Sequence, residues 1–172
     1  MMIHPLVAQL YFTRDEWQRG IDGVSPADAI KHIGAMNSIS WLIGHMAWQE
    51  QKYWLELAQG KKPFPDLAGR FAAGVPKNSP PLNEVEKIWF EVTRLTRPYL
   101  DRLTTADLEA ELLRHGKPVG QSLGSAMLRL IYHYWHHNGE VMAIRQLIGH
   151  HNLPEFVGDL EKAAPFRSVY SS

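Results

Sequence analysis

The chain has 172 residues, with 18 Lys plus Arg against 18 Asp plus Glu, so its formal net charge at pH 7 is +0. That length suits one domain, spanning residues 1–172, whose core needs no covalent staples, and the charge balance supplies no long-range pull toward nucleic acid or an anionic membrane. Cysteine is absent, which excludes a disulfide framework, a thiolate zinc site and a cysteine nucleophile.

Four long segments have helical periodicity. The first covers Pro5 to Ile21, with Leu6, Leu10, Trp17 and Ile21 on one face and Asp22-Gly23 as its stop. Ser25-Pro26 then pairs an N-cap with a first-turn proline, which predicts a short helical turn. The second long helix is expected from an N-cap at Asn37 to about Gln59, ended by Gly60, with an inward stripe of Leu42, His45/Met46, Gln49, Tyr53 and Leu57. The stretch "GKKPFPDLAGRFAAGVPKNSPP" is a long irregular connection of the kind used for lids and crossovers.

The third helix is expected from Ser79 to about Leu103, with Pro98 kinking it or marking its last turn. Thr104 or Thr105 caps a short helix in "TTADLEAEL", and "RHGKPVGQ" reads as loop, with no strand-like alternation anywhere. The fourth long helix begins near Ser122 and ends at Ile148 before Gly149. Its stripe runs through Leu123, Met127, Leu130, His133/Tyr134, His137, Val141, Ile144 and Ile148. The pattern predicts an all-α four-helix bundle, its long second loop serving as a crossover.

"LIYHYWHHNGE" concentrates three histidines in five positions of this last helix. His133 and His137 are four apart, so they stack on one face, and that face is the apolar stripe. Such a pair can aim two imidazole nitrogens at one transition-metal ion, but a third ligand must come from elsewhere. His45, on the inward stripe of the second helix, is the candidate. Taken singly, an inward histidine reads equally as a hydrogen-bonded core residue.

Gly44 and Gly139 stand beside these histidines inside helices, where glycine costs about 1 kcal/mol relative to alanine. A close approach of the two backbones would account for both. His136 falls on the flank of the stripe. His4, His32, His115, His150 and His151 lie near element ends or in loops and are expected to be solvated. Trp41 and Trp48 fall off the histidine stripe, toward another helix or a partner subunit.

"SISWLIGHMAWQEQKYW" followed by "LRLIYHYWHHNGEVMAIRQLIG" resembles the DinB-like superfamily of four-helix bundles, which includes the YfiT-like metal-dependent hydrolases. In that family a histidine on the second helix is followed, on the last helix, by His-x-x-x-His, then an Arg-Gly-Gln-like element and a Leu-Gly stop. The matching positions are His45, His133, His137 and Gly139–Glu140, with Asn138 in place of the usual arginine and Glu140 where glutamine is common. The resemblance implies a divalent transition metal, nickel, zinc or iron, on His45, His133 and His137.

It also implies an activity that is either hydrolysis or S-transfer from a low-molecular-weight thiol. Gln49 and Glu140 are the polar groups expected beside the metal, Glu140 as an acceptor fixing an imidazole tautomer. The expected partners are a small-molecule substrate and a second copy of the chain in a homodimer. Nucleic acid is not expected, for want of a basic stripe. The alternative is a non-catalytic, stress-associated or ligand-binding dimeric helical module whose histidines fill a polar core. The opening "MMIHPLVAQLYFTRDEW" has no basic start before a long apolar run, and "SISWLIGHMAW" is too short to span a bilayer, so a cytoplasmic protein without membrane contact is expected.

Overall fold

The computed structural model describes residues 3–76, 78–114 and 116–167. Helix α1 is Pro5–Ile21, as the periodicity predicts, and its N-cap is His4, whose Nδ1 accepts the Leu6 N–H at 3.1 Å. A short α2, Pro26–Ala29, follows behind the Ser25 cap. Helix α3, Ile39–Glu50, continues without a break into a π-helical segment, Gln51–Leu57, and the chain turns out of it at Gly60 with φ +66°. Its cap is Ser38 rather than Asn37: the Ser38 hydroxyl accepts the Trp41 N–H.

The long connection carries a one-turn helix, α4, Leu67–Phe71. Helix α5 is Leu82–Leu100, shorter than expected at both ends, with Pro98 inside its last turn. Ser79 does not cap it; its hydroxyl donates to Ser38 and bonds His32. Helix α6, Thr105–Glu109, opens with a capping box between Thr104 and Asp107.

The segment expected as loop is a β-hairpin. Strands β1, Glu111–Arg114, and β2, Lys117–Ser122, pair antiparallel around a turn with Gly116 at φ +75°. Only Leu112 of β1 is buried, and β2 is largely solvated, so no hydrophobic alternation marks the pair. Helix α7, Leu123–Leu147, is capped by Ser122 and stopped at Gly149, φ +87°. A short α8, Leu160–Ala163, lies near the C-terminus.

Helix α1 packs along α7 and α3 along α5, while α3 also meets α7. The core they share includes Leu10, Trp17, Leu42, Met46, Trp54, Val85, Val92, Leu130, Tyr134 and Ile144. Within it lies a charged network. Glu50, fully buried, takes a two-pronged ion pair from Arg14, Nε to Oε1 at 2.8 Å and Nη2 to Oε2 at 2.6 Å. The Tyr134 hydroxyl donates to Glu50 Oε1 at 2.8 Å and accepts Trp89 Nε1–H at 2.8 Å. Four helices, α1, α3, α5 and α7, thus converge on one carboxylate. The network fixes the rotation of α3 against α7, the two helices that carry the histidines. Among the described residues no helix is long and apolar enough to cross a membrane.

Candidate metal centre

His45 from α3 and His133 and His137 from α7 meet between the two helices. His133 Nε2 lies 2.8 Å from His137 Nε2 and 3.3 Å from His45 Nε2. The rings stand at steep angles, 87° between His45 and His133 and 79° between His45 and His137, so their nitrogens point at a common center rather than stacking. His45 and His137 are 4% and 7% exposed, and His133 is half-buried, leaving the cluster open on its side.

The tautomers follow from what the far nitrogens bond. His45 Nδ1 is 2.7 Å from the Phe71 carbonyl oxygen, which only accepts, so Nδ1 carries the proton and Nε2 is a bare lone pair. His137 Nδ1 is 2.9 Å from Glu140 Oε2, which fixes the same tautomer. Both lone pairs therefore face His133 Nε2, and a single proton there serves one of them only. A shared cation resolves this arrangement.

The spacing suits one: ligands bonded at about 2 Å to one ion stand about 2.9 Å apart at a right angle and about 3.4 Å apart at the tetrahedral angle. His45 and His133 are also held neutral, as ligation requires. Burial pushes His45 down to about 4, against the Phe71 bond that favours its charged form. Burial, then repulsion from His137 and His45, pushes His133 down to about 3.

Supporting groups were only partly legible in the sequence. Glu140 is where an acceptor was expected. Burial acts to raise its pKa, but bonds from His137 and Asn37 outweigh this and hold the carboxyl below its ordinary range. Asn37 is thus a brace for Glu140, Nδ2 to Oε1 at 3.2 Å, instead of a helix cap. Phe71 had no sequence signal at all: it acts through a backbone carbonyl delivered by the long connection.

Gly44 explains how that carbonyl arrives. A Cβ there would collide with the Phe71 ring, so the close approach is to α4 and not to the α7 backbone. Gly139 has nothing within 4 Å of a hypothetical Cβ, so its expected role in close packing is wrong. The tight helix contact on α1 and α7 is elsewhere: a Cβ on Gly20 would strike the buried Asn138 side chain.

Trp41 and Trp48, expected to face away, flank His45. Trp41 stacks on it at 4.9 Å and 17°, and Trp48 lies 5.4 Å off. Both tryptophans are within one turn of His45 on α3, and wide indole rings reach round the helix where spacing alone separates faces. Gln49 is half-buried and its side chain makes no hydrogen bond among the described residues; the charged residue that α3 sends into the core is Glu50.

His136 is exposed, with its ring 4.9 Å from that of His137. His150 is half-buried instead of solvated, bonded by Arg145 Nε at 3.2 Å and 3.3 Å from Asp28. His32 and His151 are exposed, and His115 lies outside the described residues.

The family model of the DinB superfamily matches residues 9–141, a span that contains all three histidines of the cluster. The chain belongs to the DinB superfamily. Among solved structures, this DinB-superfamily chain is similar to a conserved protein from Enterococcus faecalis, with a TM-score of 0.64 over 87% of this chain and 99% of that one. At 16% identity that likeness speaks for the fold alone. No curated protein matches the chain.

Proposed function

We propose that the protein is a divalent-metal-dependent enzyme whose ion is held by His45, His133 and His137. The observation that carries this is the convergence of three Nε2 atoms, two of them with tautomers fixed by Phe71 and Glu140. A set of three imidazoles suits zinc, nickel, iron or copper and leaves at least one coordination position for substrate, the arrangement of catalytic rather than structural sites. A divalent ion there supplies Lewis acidity, the chemistry common to hydrolysis and to transfer of a low-molecular-weight thiol.

The chain's own contribution is geometric. Phe71 and Glu140 keep lone pairs of His45 and His137 inward, and Trp41 and Trp48 wall the His45 side against water. Glu140 is a positioning residue for His137. Nothing around Gln49 marks it for a role in the chemistry.

Elemental analysis of protein purified without chelator tests the reading. Near-stoichiometric transition metal is expected, lost in His45→Ala and His137→Ala. Metal-free protein that takes up neither added nickel nor added zinc overturns it.

A further inference from the structure

Beside the histidine cluster, the π-helical segment and the β-hairpin enclose a cavity of about 500 Å³. Its lining includes Lys52, Lys61, Lys62 and Arg114, with Glu56 as its carboxylate. Glu56 accepts a hydrogen bond from Gln51. Among the described residues, none of these four cations lies within ion-pair distance of a carboxylate. In a chain of balanced charge, this is a local excess of positive charge.

Lys52 is the innermost of the group. It is half-buried, and its ammonium sits 5.1 Å over the Trp48 ring and 5.4 Å over the Tyr53 ring. Burial, then repulsion from Arg114 and Arg129, pushes its pKa down. A cation held against its own kind is one whose surroundings favour an anion.

The cavity is tied to the cluster through one side chain. Trp48 touches His45 on one side and Lys52 on the other. His45 and Lys52 are seven residues apart, about 10 Å along a helix at 1.5 Å per residue. The π-helical winding that starts at Gln51 falls where Lys52 leaves α3 for the cavity, and such windings concentrate at functional sites.

We propose that this cavity binds the anionic end of the substrate, a group with two or more negative charges, carboxylate or phosphate, while the reacting end reaches the histidine cluster. Lys52 and Arg114 are the principal contacts, Lys61 and Lys62 close the rim, and Arg129, one turn before His133, adds to the field. The proposal rests on the metal-centre reading for what happens at the other end, but the anion site itself does not need a metal.

The test is calorimetric titration of the full chain with citrate and with inorganic pyrophosphate, on protein as purified and again after dialysis against chelator. The dialysed protein removes direct ligation of either probe to a metal. Wild type is expected to bind at least one probe, more weakly as salt rises. Lys52→Met and Arg114→Met are each expected to weaken binding about 10-fold or more, with Lys87→Met on the outer face of α5 unchanged.

Preference for citrate assigns a carboxylate end, and preference for pyrophosphate a phosphate end. Arg114 is exposed on the hairpin, so its variant tests the site even if Lys52→Met folds poorly. Failure of wild type to bind either probe at millimolar concentration, or equal binding by wild type and Arg114→Met, overturns the anion site. Anion binding by a protein that is metal-free as purified and takes up neither added nickel nor added zinc leaves the site standing and overturns the metal-centre reading instead.

Discussion

Replacing Glu140 by glutamine isolates how much of the metal centre is second-hand support. The carboxylate accepts His137 Nδ1–H at 2.9 Å and is braced by Asn37 at 3.2 Å. Glutamine keeps the shape and one acceptor but loses the charge. A hydrogen bond to a charged group contributes about 1.5–3 kcal/mol against about 1 kcal/mol for a neutral one, so about 0.5–2 kcal/mol of His137 orientation is lost. Glutamine also offers an NH2 group, which in the wrong flip faces Nδ1 and favours the tautomer that blocks Nε2.

The expected result is a 10- to 100-fold fall in metal affinity, the range for loss of a carboxylate behind a ligating imidazole, with little change in thermal stability without metal. Competition of nickel or zinc against a chromophoric chelator at pH 7.5 measures it. His137→Ala, which removes a ligand outright, should lose far more. A Glu140→Gln affinity within 2-fold of wild type, beside a large loss in His137→Ala, would refute the claim that Glu140 sets the tautomer.

The two glycines expected to act alike should behave oppositely. Gly44→Ala forces the Phe71 ring to move and should destabilise by about 1–3 kcal/mol through overpacking, with weaker metal binding as the carbonyl behind His45 shifts. Gly139→Ala meets open space and should stabilise by about 0.5–1 kcal/mol; thermal melting of both variants checks the pair. Acid should destabilise the metal-free protein.

His45 titrates at about 4 folded against 6.5 unfolded, so the unfolded state binds more protons between these values. Stability is then unaffected above pH 6.5 and falls as pH drops toward 4, by up to roughly 3 kcal/mol from His45, with His133 acting in the same direction. Urea midpoints that stay level from pH 7.5 to pH 5 after chelation would contradict this. Tyr134→Phe strands Trp89 Nε1 and removes a donor from Glu50, and should cost about 1–3 kcal/mol in urea unfolding.

Most of the helical frame was readable because its signals are local. Pro5 to Ile21, the Ser122 start and the Gly149 stop depend on residues adjacent in the chain. The hairpin was not readable. Its strands are short and mostly solvated, so no apolar face writes a period of two into the sequence. Its one strong local mark is Gly116, which a loop would use equally well. The π-helical winding is likewise invisible, since the residues from Gln51 to Leu57 have ordinary helical composition.

The site divides along the same line. His133 and His137 are four residues apart, a relation that the α-helix fixes from sequence alone, and the inward stripe brought in His45. What orients them is long-range and often backbone. The Phe71 carbonyl is 26 residues from His45, and Asn37 is 103 from Glu140. A carbonyl is carried by every residue type, so no side-chain pattern announces it; the trace it leaves is Gly44, a missing Cβ where a ring must pass.

The same logic separates the two buried polar systems. Arg14, Glu50 and Tyr134 bond one another across three helices, which is the mark of a group that holds helices in register. His45 and His137 satisfy their outer nitrogens and leave the inner ones facing His133 Nε2. Surplus acceptors at one point, in a protein that elsewhere pairs its buried charge so thoroughly, are the reason to assign that point to a cation.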